Sequence, residues 1–224
     1  MKALVYEDVE TLQLRDVPRP APATGDHLIL VEAVGSCGSD LHAYLGHDAR
    51  WPAPLILGHE AAGTIVGGAR DGARVTVNPL VTCGTCMACT SGRENLCADR
   101  QIISMPPREG AFAQFITMPP RNLVDVPDDV PLTKAALAEP LAVSWHAARL
   151  ACAAIPDREG PALVLGGGAI GLAAALALRA MGVADVTLVE PNPARQAFLK
   201  DTCGQDAVAK ASGQFPIVID AVGY

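Results

Sequence analysis

Four cysteines in the run Cys83-x2-Cys86-x2-Cys89-x7-Cys97 constrain this chain more than anything else in it. The chain has seven cysteines, an odd number, and four of them crowd into one short loop. A disulfide framework favours an even count spread over a small secreted domain, whereas clustered thiols point to metal in a reducing compartment. Two-residue gaps let a backbone fold around one ion, and four sulfurs fill a tetrahedron. The expected occupant is a structural zinc with no position left for substrate. An iron–sulfur reading lacks the Cys-Pro and the second cluster motif of bacterial ferredoxins.

The expected location is the cytoplasm, because Glu7 and Asp8 interrupt the short apolar start as no signal peptide does. A formal charge of -7 offers no basic excess, so neither nucleic acid nor an anionic membrane is an expected partner. The uncharged stretch 161–178 is too rich in glycine and alanine for a membrane span and reads as a strand followed by a helix.

Residues 1 to about 130 are rich in proline and read as short strands at 2–7, 12–16, 27–34, 55–66, 74–77 and 111–117. Thr133 is placed to cap a helix, and Pro140 to open the next, which runs towards Cys152. Glu139 then falls at a helix junction. Strands at 162–165, 185–190 and 216–220, with a short one near 207–209, alternate with helices to Met181 and over 193–200. That alternation predicts a doubly wound parallel sheet. The fold class is α/β, with domains 1–152 (metal lobe 80–100) and 153–224, and a seam near 150–160.

Gly166-x-Gly168-x-x-Gly171 lies between a strand and a helix, and Glu190 ends the next strand. Gly166 makes the tight turn, Gly168 lets a pyrophosphate approach, and Gly171 permits close packing. Ala169 and Ile170 open the helix whose free N–H groups meet the phosphates. Glu190 would bind the ribose hydroxyls and favour NAD, while Arg195 leaves NADP open.

The runs Cys37-Gly38-Ser39-Asp40-Leu41-His42 and Gly58-His59-Glu60 supply a thiol, an imidazole and a carboxylate outside the cysteine loop, and three protein ligands with one open position are the arrangement of a catalytic zinc. Five motifs stand in order along nearly the whole chain: Gly35-Ser36-Cys37-Gly38-Ser39-Asp40-Leu41-His42, Gly58-His59-Glu60-Ala61-Ala62-Gly63, the cysteine loop, Ala138-Glu139-Pro140-Leu141-Ala142, and the glycine loop. With these residues the chain resembles the medium-chain, zinc-dependent alcohol/polyol dehydrogenases, in particular the sorbitol, idonate and threonine dehydrogenase branch.

The resemblance implies a mostly-β GroES-like catalytic domain carrying a zinc lobe, then a partial Rossmann domain. It implies a catalytic zinc on Cys37 and His59, completed by Glu60 or Glu139, beside the structural zinc. Asp40 would hydrogen-bond His59 and fix its tautomer. Ser39 would take the proton of the zinc-polarised hydroxyl, and His42 would pass it to solvent through the cofactor ribose. The substrate would be a polyol or other secondary alcohol, with Tyr44, His47 and Trp51 beside it, and the assembly a homodimer or homotetramer.

The chain departs from the family in a shortened turn at 67–70 and in ending at Tyr224, after the fourth expected strand of the nucleotide fold. The expectation is an incomplete chain that binds zinc with weak or no turnover. The competing expectation is a non-catalytic zinc-binding interaction module.

Overall fold

The structure, a computed structural model, describes residues 1–155 and 160–223. It divides into two compact units, Met1–Glu139 and Pro140–Tyr224. The sequence places the domain limit after residue 152, at the far end of the helix Ala138–Ala154. The structural division falls near that helix's start, because Ala148 and Cys152 belong to the core of the second unit. Part of the expected seam, residues 156–159, lies outside the described residues.

The first unit is built from antiparallel strands. Lys2–Asp8 pairs with Thr11–Asp16 on one side and Leu55–Ile56 on the other. A five-stranded sheet runs in the order Leu123–Asp125, Arg74–Val77, Glu60–Val66, His27–Gly35 and Phe115–Met118. β-branched side chains suit such a pleated, half-buried surface, and Ile29, Ile65, Val75, Val77 and Ile116 form its core.

Residues 55–66 are not one strand as expected. The ladder breaks after Ile56 and resumes at Glu60. Gly58 causes the break. Its φ of 92° suits glycine, and a Cβ there would meet Phe112 at 2.6 Å. His59 is thereby released from the ladder immediately before a buried strand.

Thr133 is not a cap. The helix Leu132–Ala135 has Pro131 at its N-cap, with no side-chain hydrogen bond, and Thr133 is an exposed residue inside it. Proline fixes φ and has no N–H to satisfy, which starts the turn earlier. Pro140 is the third residue of Ala138–Ala154 rather than the first. It is still within the turn whose N–H groups lack helical partners.

In the second unit, Ala162–Leu165 lies between Val186–Val189 and Ile217–Asp220, all parallel. The helix Ala169–Ala180 buries Ala173, Ala174, Ala175 and Ala177, small side chains that let it approach the sheet closely. The expected strand at 207–209 is one bridge, Val208 to Val189. Helix Pro193–Cys203 starts from Asn192, whose Oδ1 accepts the N–H groups of Ala194 and Arg195. Among the described residues no helix is long and apolar enough to cross a membrane.

Candidate metal centres and nucleotide loop

The four loop cysteines converge. Sγ atoms lie 3.5 Å apart for Cys86–Cys89, 3.6 Å for Cys97–Cys83 and 3.9 Å for Cys83–Cys89. Four sulfurs at 2.3 Å from one tetrahedral ion would be separated by about 3.8 Å. The match favours a single ion with zinc-like bond lengths. Backbone N–H groups of Thr85 and Cys86 pull the Cys83 thiol down to about 6, whereas burial pushes Cys89 up to about 11. Cys97 is fully buried, and its sulfur receives the N–H of Cys83 at 3.5 Å.

The second cluster is assembled from distant segments. Cys37 follows the strand His27–Gly35 and is the N-cap of the helix Gly38–Tyr44. His59 sits at the glycine break, and Glu60 opens the next strand, paired with Gly35. The ligand atoms of Cys37, His59 and Glu60 lie within 4.8 Å of one another. Glu60 is buried, and a Cβ on Gly35 would stand 2.0 Å from its Oε2, so glycine there leaves the carboxylate its space.

Glu139 lies outside this triplet. It is half-buried in the first turn of Ala138–Ala154, and burial raises its carboxyl above the usual range against the opposing pull of His59. Burial likewise raises Glu60, with His59 opposing.

Asp40 differs from its expected role. Its Oδ1 is 3.7 Å from His59 Nδ1, too long for a hydrogen bond. Its carboxylate instead accepts the N–H of Cys37 at 2.9 Å through Oδ2 and that of Gly58 at 3.0 Å through Oδ1. Asp40 is 4% exposed and ties together the two segments that carry the thiol and the imidazole. Ser104, which no sequence motif singles out, places its Oγ 3.5 Å from His59 Nδ1.

The electrostatics favour a cation. Burial works against charge on His59, yet Asp40 and the Cys37 thiol outweigh it and raise the imidazole to about 10. In turn the neighbouring His59, opposed by burial and assisted by Ser39, lowers the Cys37 thiol. A thiolate, an imidazole and a buried carboxylate facing one point fit a zinc ion.

Ser39 and His42 share a cleft of about 250 Å³ with His47, Asp48, Arg50 and Trp51. His42 is exposed. Trp51 is buried among Tyr6, Ala43, Leu55 and Leu57, so it packs the core as well as lining the cleft. Tyr44 is half-buried and does not line this cleft. Arg50 grips Asp48 at 2.6 Å, which holds that carboxyl down at about 2.

In the second unit the glycine loop stands where the motif predicts it. Gly168 is the N-cap of Ala169–Ala180, and the space a Cβ would take there is open. A Cβ on Gly171 would fall 1.8 Å from Gly166 O, so the helix closes on the loop itself. Gly167, not singled out from sequence, is also crowded, by side chains rather than backbone: a Cβ would meet Leu199 and Glu190 at 2.7 and 2.8 Å. Ser144 Oγ donates to Ile170 O at 3.1 Å and braces the helix start.

Glu190 is buried. Its Oε2 accepts from Gly167 N–H and Arg195 Nη1, each at 3.0 Å, and its Oε1 accepts from Asn192 N–H at 2.9 Å. Burial opposes its charge, but these donors keep its carboxyl below the usual range.

Residues 23–128 match the family described as alcohol dehydrogenase GroES-like domain. Sorbitol dehydrogenase of Bacillus subtilis (strain 168) is 40% identical over 205 residues, covering 87% of this chain and 57% of that protein. L-galactonate-5-dehydrogenase of Escherichia coli (strain K12) is 34% identical over 242 residues, covering 100% of this chain and 69% of that protein. Among solved structures, an alcohol dehydrogenase of E. coli CFT073 complexed with cofactor NADH superposes with a TM-score of 0.87 at 27% identity. That likeness covers 100% of this chain and 70% of the other. The chain thus spans 57% to 69% of the length of these two curated relatives.

Proposed function

Because this chain belongs to the medium-chain, zinc-dependent alcohol/polyol dehydrogenase family, we propose that it carries the metal and proton-transfer machinery for moving a hydride from a polyol or other secondary alcohol to NAD. The observation that carries this reading is the convergence of Cys37, His59 and Glu60 from separate segments, with Ser39 and His42 in the cleft on the following helix. An interaction module has no use for such a relay.

When bound, zinc supplies the charge that makes a hydroxyl acidic, and the nicotinamide ring supplies the hydride acceptor. Cys37, His59 and Glu60 would hold the ion, and Glu139, whose charge acts on Glu60, is the alternative carboxylate. Asp40 holds the Cys37 and Gly58 segments at a fixed spacing. Ser39 receives the substrate hydroxyl proton, and His42, one helical turn on and exposed, releases it towards water. Trp51 gives the substrate cleft an apolar wall; Tyr44 has no support for that role from the cleft lining.

In the nucleotide unit, Gly168, Ala169, Ile170 and Gly171 would present backbone N–H groups to the pyrophosphate, while Gly166, whose N–H is bonded to Val189 O at 2.8 Å, makes the tight turn beneath it. Glu190, although its oxygens are engaged by Gly167, Asn192 and Arg195, keeps a negative charge at the end of the second strand that would disfavour a 2′-phosphate, while Arg195, drawn to Glu190, leaves NADP use open. The four-cysteine loop holds a second, structural zinc. Domain roles follow the same division: a catalytic part to about residue 152 and a nucleotide part beyond it. Reduced thiols suit the cytoplasm, and we place a homodimer or homotetramer there.

The test is metal analysis of the 224-residue chain with turnover assays on polyols and secondary alcohols, using NAD and NADP. Two zinc ions per chain, with the second lost in Cys37→Ser, is the expected result. One zinc, held only by the cysteine loop, would overturn the catalytic reading.

A further inference from the structure

Ser104 is one of only two non-glycine residues, among those described, with positive φ, at 69°. It stands third in a turn from Ile102 to Met105, closed by Met105 N–H donating to Ile102 O at 3.2 Å. A turn that demands positive φ at its third position ordinarily takes glycine or asparagine there, since a Cβ is disfavoured in the left-handed region. This chain keeps a side chain at the unfavourable place and buries it: Ser104 is 1% exposed.

A buried hydroxyl needs a partner. Among the described contacts its side-chain partner is His59 Nδ1, at 3.5 Å. The nearest Asp40 oxygen stands 3.7 Å from that same nitrogen and already accepts the Gly58 N–H. Among the described contacts the Ser104 hydroxyl is therefore the hydrogen-bond partner of His59 Nδ1, with the Asp40 carboxylate beside it as a charge.

We propose that Ser104 is a positioning residue for the metal at Cys37, His59 and Glu60. Its hydroxyl accepts the Nδ1–H of His59, which leaves Nε2 as the ligand nitrogen and sets the ring plane. The strained turn is retained because it delivers that hydroxyl. The inference rests on the metal-site reading above. Outer partners of a ligating histidine commonly change metal affinity by about 10–100-fold.

The experiment titrates zinc into metal-stripped chain against a chromogenic chelator, with Cys37→Ser identifying which binding step belongs to which cluster. The four-cysteine loop serves as the internal control within each sample. Ser104→Gly removes the hydroxyl and eases the backbone; Ser104→Ala removes it and keeps the strain. The expected result is a fall of about tenfold or more in affinity at the Cys37 step in both variants, with the cysteine-loop step unchanged.

Unchanged affinity in Ser104→Gly, or loss in Ser104→Ala alone, overturns the proposal by reducing Ser104 to a matter of turn conformation. Loss at both steps overturns it as general unfolding, checked by circular dichroism. Absence of any Cys37-dependent step in the unaltered chain overturns the metal-site reading itself, independently of any Ser104 variant.

Discussion

The sulfurs of Cys83, Cys86, Cys89 and Cys97 come from one loop and meet with backbone N–H groups already turned towards them. Cys37, His59 and Glu60 come from a strand end, a glycine break and a strand start, and they meet only because the sheet pairs Gly35 with Glu60. The loop is uniform in chemistry and closed. The other cluster is mixed, brings together three donors rather than four, and holds a carboxylate that burial pushes away from charge. A site whose ligands share a loop can be rigid for stability's sake. A site whose ligands share only a scaffold inherits its precision from residues that never touch the ion.

Four perturbations bear on that contrast, in order of expected size. Cys97→Ser should cost the most stability, since it opens a fully buried position in the loop. A loss of ~3 kcal/mol or more would lower the melting temperature by on the order of 10 °C. Calorimetry reads it, and a melting point within a degree of the parent would erase the structural role of the loop.

Cys37→Ser should do the reverse, removing one zinc while moving the melting temperature by only about 2 °C. Metal analysis beside a thermal melt makes the comparison. Equal destabilisation by the two substitutions would show that the sites are not different in kind.

Gly35→Ala tests the dependence on scaffold. The added methyl collides with Glu60 Oε2, so metal affinity at the dispersed site should fall by about 10–100-fold although no ligand is altered. Chelator competition measures this, with the cysteine loop unaffected.

Asp40→Asn is the mildest. One of its two backbone bonds is lost because an amide has a single acceptor oxygen, at a cost of about 1–3 kcal/mol. Urea unfolding gives the number, and no change in midpoint would mean the two segments are held by other means.

The cysteine loop and the glycine loop are legible in the amino-acid sequence because their functional residues sit at fixed spacings, and spacing is what a sequence displays. The strands are legible from alternation, though not the break at Gly58, where a run of apolar residues conceals a change of direction. Cys37, His59 and Glu60 are individually visible, yet nothing in their spacing joins them; sheet register does. Gly35 and Gly167 give no signal of their packing role, because a missing Cβ matters only when its neighbour is known. Ser104 gives none either, since a serine before Met105-Pro106-Pro107 carries no sign of its backbone angle. Family resemblance puts Asp40 on the imidazole, whereas its carboxylate is committed to two backbone N–H groups that sequence cannot reveal.

That carboxylate has one more consequence. By gripping the N–H groups of Cys37 and Gly58 it fastens both ends of the segment carrying His42, His47, Arg50 and Trp51. The intervening polypeptide is a clasped loop, and side chains can change within it without shifting the base of the clasp. Side chains between residues 41 and 57 can therefore vary while Cys37 and His59 keep their spacing, so the two functions of holding and of facing the cleft are separable in this fold.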